Sequence, residues 1–138
     1  MVIAVDFDGT IVTHEYPAIG KPIPFAKKKK KKLQQEDHHQ LILWTVREGD
    51  LLKEAVEYCA NKGLEFYAVN SNFPNDELIP AASRKLNADI FIDDHNLGGL
   101  PDWGIIYRMI HEGKALRPIP TSNIEEKKPK SLFERIFG

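Results

Sequence analysis

Two aspartates one residue apart, Asp6 and Asp8, follow an apolar run that begins at Met1-Val2-Ile3-Ala4-Val5, and Gly9 and Thr10 come directly after them. A run of that kind reads as a buried parallel strand. The two acids then sit at its C-terminal end, where open α/β sheets bind ligands. Carboxylates so close repel one another unless a positive group lies beside them. A divalent cation suits the place, because hard cations take oxygen ligands. Gly9 lets the backbone leave the strand sharply. A plain acidic turn would use the same residue types, but three downstream groups weigh against that. Thr45 ends a second apolar run and is followed by Arg47 and Gly49. Lys85 stands just before another such run, and Asp93 and Asp94 end that run.

The elements that must position these groups alternate between strand-like and helix-like patterns, which predicts a layered α/β fold with a mainly parallel sheet. Residues 2–7 form the first strand. Residues 11–24, with Pro17, Gly20, Pro22 and Pro24, form a loop or small flap. A helix is expected from Phe25 to Asp37 and a strand over Leu41–Thr45. The next helix is capped by Asp50 and turns Leu51, Leu52, Ala55, Val56 and Cys59 inward, with Gly63 just past its end. Phe66–Val69 is the third strand, 70–80 a loop, Ala81–Leu86 a short helix and Asp89–Asp93 the fourth strand. Pro101 opens a last helix that buries Trp103, Ile106, Tyr107 and Ile110 and stops at Gly113. All strand ends of a parallel sheet lie on one edge, so Asp6, Asp8, Thr45, Arg47, Asp93 and Asp94 can converge there, with Lys85 nearby.

The chain of 138 residues suits one core. With 42% hydrophobic and 28% charged residues and a formal net charge of -1, it has the balance of a soluble globular protein without global attraction to nucleic acid or acidic membranes. No segment reads as a signal peptide or a membrane span, so the expected location is the cytoplasm. Cys59, the single cysteine, reads as a small buried hydrophobe. Six consecutive lysines, Lys27 to Lys32, interrupt the helix over 25–37. Phe25 and Leu33 share its inner face, and Lys29 falls between them, so Lys29 must snorkel or the helix must tilt. Residues 1–116 are expected to form the core. Residues 117–138 are expected to form a proline-bearing linker and a short amphipathic segment over Ser131–Phe137.

In their order, these groups resemble the four motifs of the haloacid-dehalogenase-like hydrolase superfamily. The motifs match as Asp6-Phe7-Asp8-Gly9-Thr10, the strand ending in Thr45, Lys85, and the strand ending in Asp93-Asp94, over roughly residues 1–113. The resemblance implies a three-layer Rossmann-like fold and a Mg2+-dependent phosphatase acting on a phosphate monoester. Asp6 is then the nucleophile that becomes an aspartyl-phosphate, and Asp8 the general acid and base. Asp6, the backbone carbonyl of Asp8, and Asp93 hold Mg2+, and Asp94 is either a direct ligand or, the favoured role, holds a water bound to the metal. Thr45 and Lys85 hold the phosphoryl oxygens, and Gly9 and Thr10 add backbone N–H groups or a hydroxyl. Arg47, two residues past Thr45, is read as a bidentate clamp on phosphate or a substrate carboxylate. His14 and His95 lie in loops beside the site and receive no role. The usual insertion points, residues 11–24 and about 70–80, are too short for a separate cap domain. The site is therefore open, suited to a larger substrate or to a lid lent by a second subunit. Two other classes remain in view. One is a catalytically idle phosphate- or metal-binding regulatory module, which turnover of a generic aryl phosphate would exclude. The other is a nucleic-acid-associated protein working through Lys27–Lys32, which salt-dependent oligonucleotide binding would reveal.

Overall fold

The structure, a computed structural model, describes residues 1–74 and 85–115. The expectations for the helix over 81–86, for most of the 70–80 loop and for the 117–138 tail therefore lie wholly or largely outside it. Lys85 and Leu86, which are described, are not helical.

Four strands, β1 (Val2–Val5), β2 (Gln40–Leu43), β3 (Ala68–Val69) and β4 (Ile90–Ile92), form one sheet in the order β3-β2-β1-β4. Every pairing is parallel. This is the α/β, Rossmann-like fold that the alternating pattern predicts. The chain builds outward from β1 to β2 and β3, then returns to place β4 on the other side of β1. The order thus reverses at β1, the kind of switch point where open α/β sheets leave a crevice for ligands. Val5 is level with both Leu43 and Ile92, so the residues that follow them, Asp6, Trp44 and Asp93, leave the sheet side by side.

Strand alternation divides the core in two. Ile3, Val5, Leu41, Leu43 and Ile92 face the larger cluster. Ala4, Ile42 and Ala68 face a smaller one, which Leu86 joins and Trp44 and Phe91 border. The helices α1 (Ala26–Gln35), α2 (Gly49–Asn61) and α3 (Trp103–His111) all give buried residues to the larger cluster. From α2 these are Ala55 and Cys59. Val56, expected inside, is exposed, and Leu51 and Leu52 are half-buried. Burial pushes the Cys59 thiol up to about 11, which keeps it protonated and inert. Glu48 occupies the N-cap of α2 without a side-chain bond, and the expected cap, Asp50, lies in the first turn instead, where its charge favours the helix dipole. Asp102, not Pro101, opens α3: its carboxylate accepts the Gly104 N–H at 2.8 Å. Gly63 and Gly113 close α2 and α3 with φ of +70° and +68°. Among the described residues no helix is long and apolar enough to cross a membrane.

The lysine tract folds one residue out of the expected phase. Ala26, Lys30 and Leu33 make the buried face of α1, while Phe25 is exposed at the N-cap with φ +66°. The inward lysine is therefore Lys30 and not Lys29. Its Nζ donates to the Glu65 carbonyl and to Gln34 Oε1 and sits 3.9 Å from the centroid of the Phe66 ring. Lys29 and Lys32 instead lie 5.1 and 5.5 Å from the centroid of the Tyr107 ring on α3. Desolvation dominates at Lys30 and lowers its pKa from 10.5 to about 8. A net depression means that the two hydrogen bonds and the ring recover less than burial of the charge costs. The folded state thus holds fewer protons than the unfolded chain between about pH 8 and 10.5, and stability gained from this group rises over that window. Lys30→Met should stabilise the protein at pH 7 by roughly 1 kcal/mol. Its advantage should shrink at pH 10, where wild-type Lys30 is neutral. Urea unfolding at both pH values tests this, and a variant less stable than wild type at pH 7 refutes it.

Candidate functional site

Asp6 extends β1 by one residue, and its N–H donates to the Ile92 carbonyl at 2.9 Å, which brings it beside the end of β4. Asp93 and Asp94 follow β4 directly. Each of the three can place a carboxylate oxygen within 4.8 Å of those of the other two. Asp94 Oδ1 is buried and has no hydrogen-bond partner. Of the two roles expected for Asp94, its placement among the candidate ligand atoms fits the direct one. Asp93 is held from behind, since its Oδ1 accepts the His95 N–H at 2.9 Å and its carbonyl accepts Asn96 Nδ2 at 2.8 Å.

Burial, and then the charge of Asp93, raise the Asp6 pKa from 3.8 to about 7, with Asp94 adding to the rise and the Phe7 amide opposing it. Three carboxylates therefore meet where a proton or a cation must offset their repulsion. An all-oxygen donor set with an unpartnered buried oxygen fits a hard divalent cation such as Mg2+.

Thr10 ties this cluster together from below. It is fully buried, its hydroxyl donates to Asp6 Oδ2 at 3.4 Å and accepts the Asp94 N–H at 3.2 Å, and its carbonyl accepts Trp103 Nε1 at 2.9 Å. Gly9 is needed for a steric reason: φ is +82°, and a Cβ there would lie 2.1 Å from Asp94 Oδ2. The amides of Gly9 and Thr10 already donate within the loop, to the carbonyls of Val12 at 2.7 Å and Phe7 at 3.3 Å. The expectation that both residues bind phosphate is corrected accordingly. They shape the cluster, and their donors are spent.

Asp8 points elsewhere. Its Oδ2 accepts Arg47 Nε and its Oδ1 accepts Arg47 Nη2, both at 2.7 Å. Arg47 is completely buried. It also donates from Nη1 to the Pro17 carbonyl at 3.1 Å and from Nη2 to the Ala18 carbonyl at 2.9 Å. Its guanidinium carbon lies 5.2 Å from the centroids of both the Phe7 and Tyr16 rings. The hydrogen bonds to Asp8 raise the Arg47 pKa above its already high value. Arg47 is thus neither the substrate clamp expected from its place after Thr45 nor a surface residue. It is a structural ion pair that fixes Asp8 and the 11–24 loop.

Thr45 is half-buried. Its N–H donates to Asn70 Oδ1 at 2.8 Å, and its hydroxyl oxygen accepts the Arg47 N–H at 3.2 Å. Lys85 is exposed, with Nζ 5.9 Å from the Phe91 ring centroid, and among the described residues it forms no ion pair with Asp6, Asp93 or Asp94. Lys85 is thus not brought to the acidic cluster. A cavity of about 200 Å3 opens over the cluster, lined by Asp6, Asp8, His14, Tyr16, Val46, Asp93 and His95. His14 and His95 were legible as loop residues beside the site. Tyr16 and Val46 carried no signal in sequence, because nothing in their spacing separates a cavity wall from an ordinary loop.

Fold and site together define an α/β protein with a three-carboxylate centre at the switch point of its sheet. No family model and no curated protein matches the chain. A solved structure, that of a conserved protein from Bacteroides thetaiotaomicron, is similar at 58% identity and a TM-score of 0.76, over 90% of this chain and 96% of that one. At that identity and coverage the chain belongs to the family of that conserved protein.

Two predictions follow from the charges. Arg47→Ala leaves Asp8 buried and unpaired and frees the Pro17 and Ala18 carbonyls, so it should cost about 3–5 kcal/mol. Chemical denaturation measures it; a loss below about 1 kcal/mol would return Arg47 to the list of substrate contacts. The second concerns pH. In chelator, folded Asp6 keeps its proton to about pH 7, whereas the unfolded side chain releases it near pH 4. Stability contributed by this group is therefore lost as pH rises from about 4 to 7. A cation replaces that proton, so Mg2+ should raise the melting temperature more at pH 7.5 than at pH 5.5, and Asp6→Asn should abolish the difference. An equal or absent Mg2+ shift at the two pH values contradicts the metal assignment.

Proposed function

We propose that this chain is a Mg2+-dependent phosphoesterase of the haloacid-dehalogenase-like type, hydrolysing a phosphate monoester through an aspartyl-phosphate. The observation that carries the reading is the meeting of Asp6, Asp93 and Asp94 at the sheet's switch point, with Asp94 Oδ1 buried and unpartnered. These three residues, with the Asp8 carbonyl, would hold the metal. Bound there, Mg2+ would supply positive charge against the phosphoryl oxygens, which a carboxylate nucleophile otherwise repels.

Asp6 has the properties of the nucleophile. It lines the cavity, and the Thr10 hydroxyl donates to its carboxylate. An Asp6 oxygen forms the new bond to phosphorus as the ester oxygen leaves with the bonding pair. Water then attacks phosphorus, the Asp6–phosphorus bond breaks, and the carboxylate is regenerated. Asp8 faces the same cavity and is the nearest candidate to move the proton. Both its oxygens are bonded to Arg47, so giving a proton to the leaving oxygen requires one of those bonds to be exchanged. Thr45 retains a hydroxyl proton with which to meet a phosphoryl oxygen.

One observation favours a second reading, an idle metal- or phosphate-binding module. Lys85 stands away from the acids, and the Gly9 and Thr10 amides are spent, so few donors are assembled on the phosphate side. The same experiment separates the two. With Mg2+ and an aryl phosphate, wild type should turn over, and Asp6→Asn should lose roughly three orders of magnitude or more in rate while staying folded. Turnover retained by Asp6→Asn would end the covalent mechanism. A wild type that binds Mg2+ and never turns over would establish the module.

A further inference from the structure

The cavity above the carboxylates has one wall that the phosphoesterase reading does not use. Val46 is 86% exposed and Tyr16 is 46% exposed, yet both line the same space as Asp6, Asp8 and Asp93. A β-branched hydrophobe and an aromatic ring left in water beside an acidic centre gain burial only when something apolar covers them. Tyr16 is also pre-positioned. The Arg47 guanidinium lies over its ring at 5.2 Å, and the same guanidinium binds the carbonyls of Pro17 and Ala18, the next two residues of the loop. Because Arg47 is itself fixed to Asp8, the ring is tied to the end of β1 rather than to a free loop. A ring held in this way loses little entropy when a ligand stacks on it. The space of about 200 Å3 is small next to ordinary ligand pockets, which run from about 300 Å3 upward. It suits a single ring beside a phosphoryl group better than a branched polyol or a two-part nucleotide.

We propose that Tyr16 and Val46 form an apolar platform that selects phosphate esters whose leaving group is a compact planar ring. The proposal rests on the phosphoesterase reading for the position of the phosphoryl group over Asp6, and it names the substrate class of that site. Phosphonates test it separately from catalysis, because their carbon–phosphorus bond is not hydrolysed. In calorimetric titrations of the Mg2+-loaded full chain, benzylphosphonate should bind about tenfold tighter than 2-hydroxyethylphosphonate. Tyr16→Ala should erase that preference and Tyr16→Phe should keep it. Val46→Ser, at a position too exposed to disturb the fold, should reduce it roughly threefold, and this variant carries the test if Tyr16→Ala loosens Arg47 and unfolds. Equal affinity for the two phosphonates in wild type, binding of neither, or a preference that survives both Val46→Ser and a folded Tyr16→Ala would overturn the platform. A benzylphosphonate preference that disappears with Tyr16, in a protein that never hydrolyses a phosphate ester, would uphold the platform and refute the enzyme.

Discussion

The buried pair of Arg47 and Asp8 is the constraint on which the rest of the site depends. A guanidinium with no exposure to water must place its donors on acceptors, and here they go to two oxygens of Asp8 and to the carbonyls of Pro17 and Ala18. One side chain from the loop after β2 thereby joins the end of β1 to the middle of the 11–24 loop. Residues 11–24 form no helix or strand, but the Thr13 N–H donates to the Lys21 carbonyl and the Ile23 N–H to the Ile11 carbonyl, which draws the two ends of the loop together. Bridges from Val12 to Asp8 and Pro22 fold the loop on itself, and Arg47 then fixes that fold to the sheet edge.

A second constraint opposes the first in sign. At the neighbouring strand end three carboxylates come together without a cationic side chain among the described residues that pairs with Asp6 or Asp93. Asp8 has its cation inside the fold, and Asp6 does not. Two acids with a single residue between them thus take opposite fates. One is neutralised permanently by protein, and the other is left with a raised pKa and an acidic neighbour, open to a ligand from outside. Carboxylates with a raised pKa and no internal cation concentrate at functional sites, and paired ones serve structure. Thr10 enforces the asymmetry, because its hydroxyl bridges Asp6 to the Asp94 backbone and keeps the cluster from relaxing apart.

The apolar runs before Asp6 and Asp93 were legible because parallel strands buried on both faces read as continuous hydrophobic stretches. Their shared edge then followed from parallel pairing alone. What sequence could not show was which polar side chain each charge would meet. Arg47 stands where a substrate clamp would stand, and only the fold shows that Asp8 and two loop carbonyls consume its donors first. Gly9 and Thr10 stand where the motif places phosphate donors, but the fold uses them for close approach to Asp94 and for a buried hydroxyl bridge. The inward lysine is not legible in the tract, because six identical side chains carry no periodicity. The phase of α1 is set by Ala26 and Leu33, which bracket Lys30 at spacings of four and three.

The same anchoring bears on how the site can discriminate among ligands. Where a mobile domain closes over a substrate, part of the binding energy goes into ordering the closure. Here the wall beside the carboxylates is a loop already tied to them, since Tyr16 stacks on the guanidinium that holds Asp8. If the site takes a phosphate ester as proposed, selectivity would require no large movement and would be limited to what a short rigid wall can touch, the group attached directly to the phosphoryl oxygen. A substitution in Tyr16 that disturbs Arg47 would reach Asp8 through a single side chain. In the proposed phosphoesterase, ligand choice through Tyr16 and proton transfer by Asp8 would therefore be mechanically linked, and a change in one is expected to appear in the other.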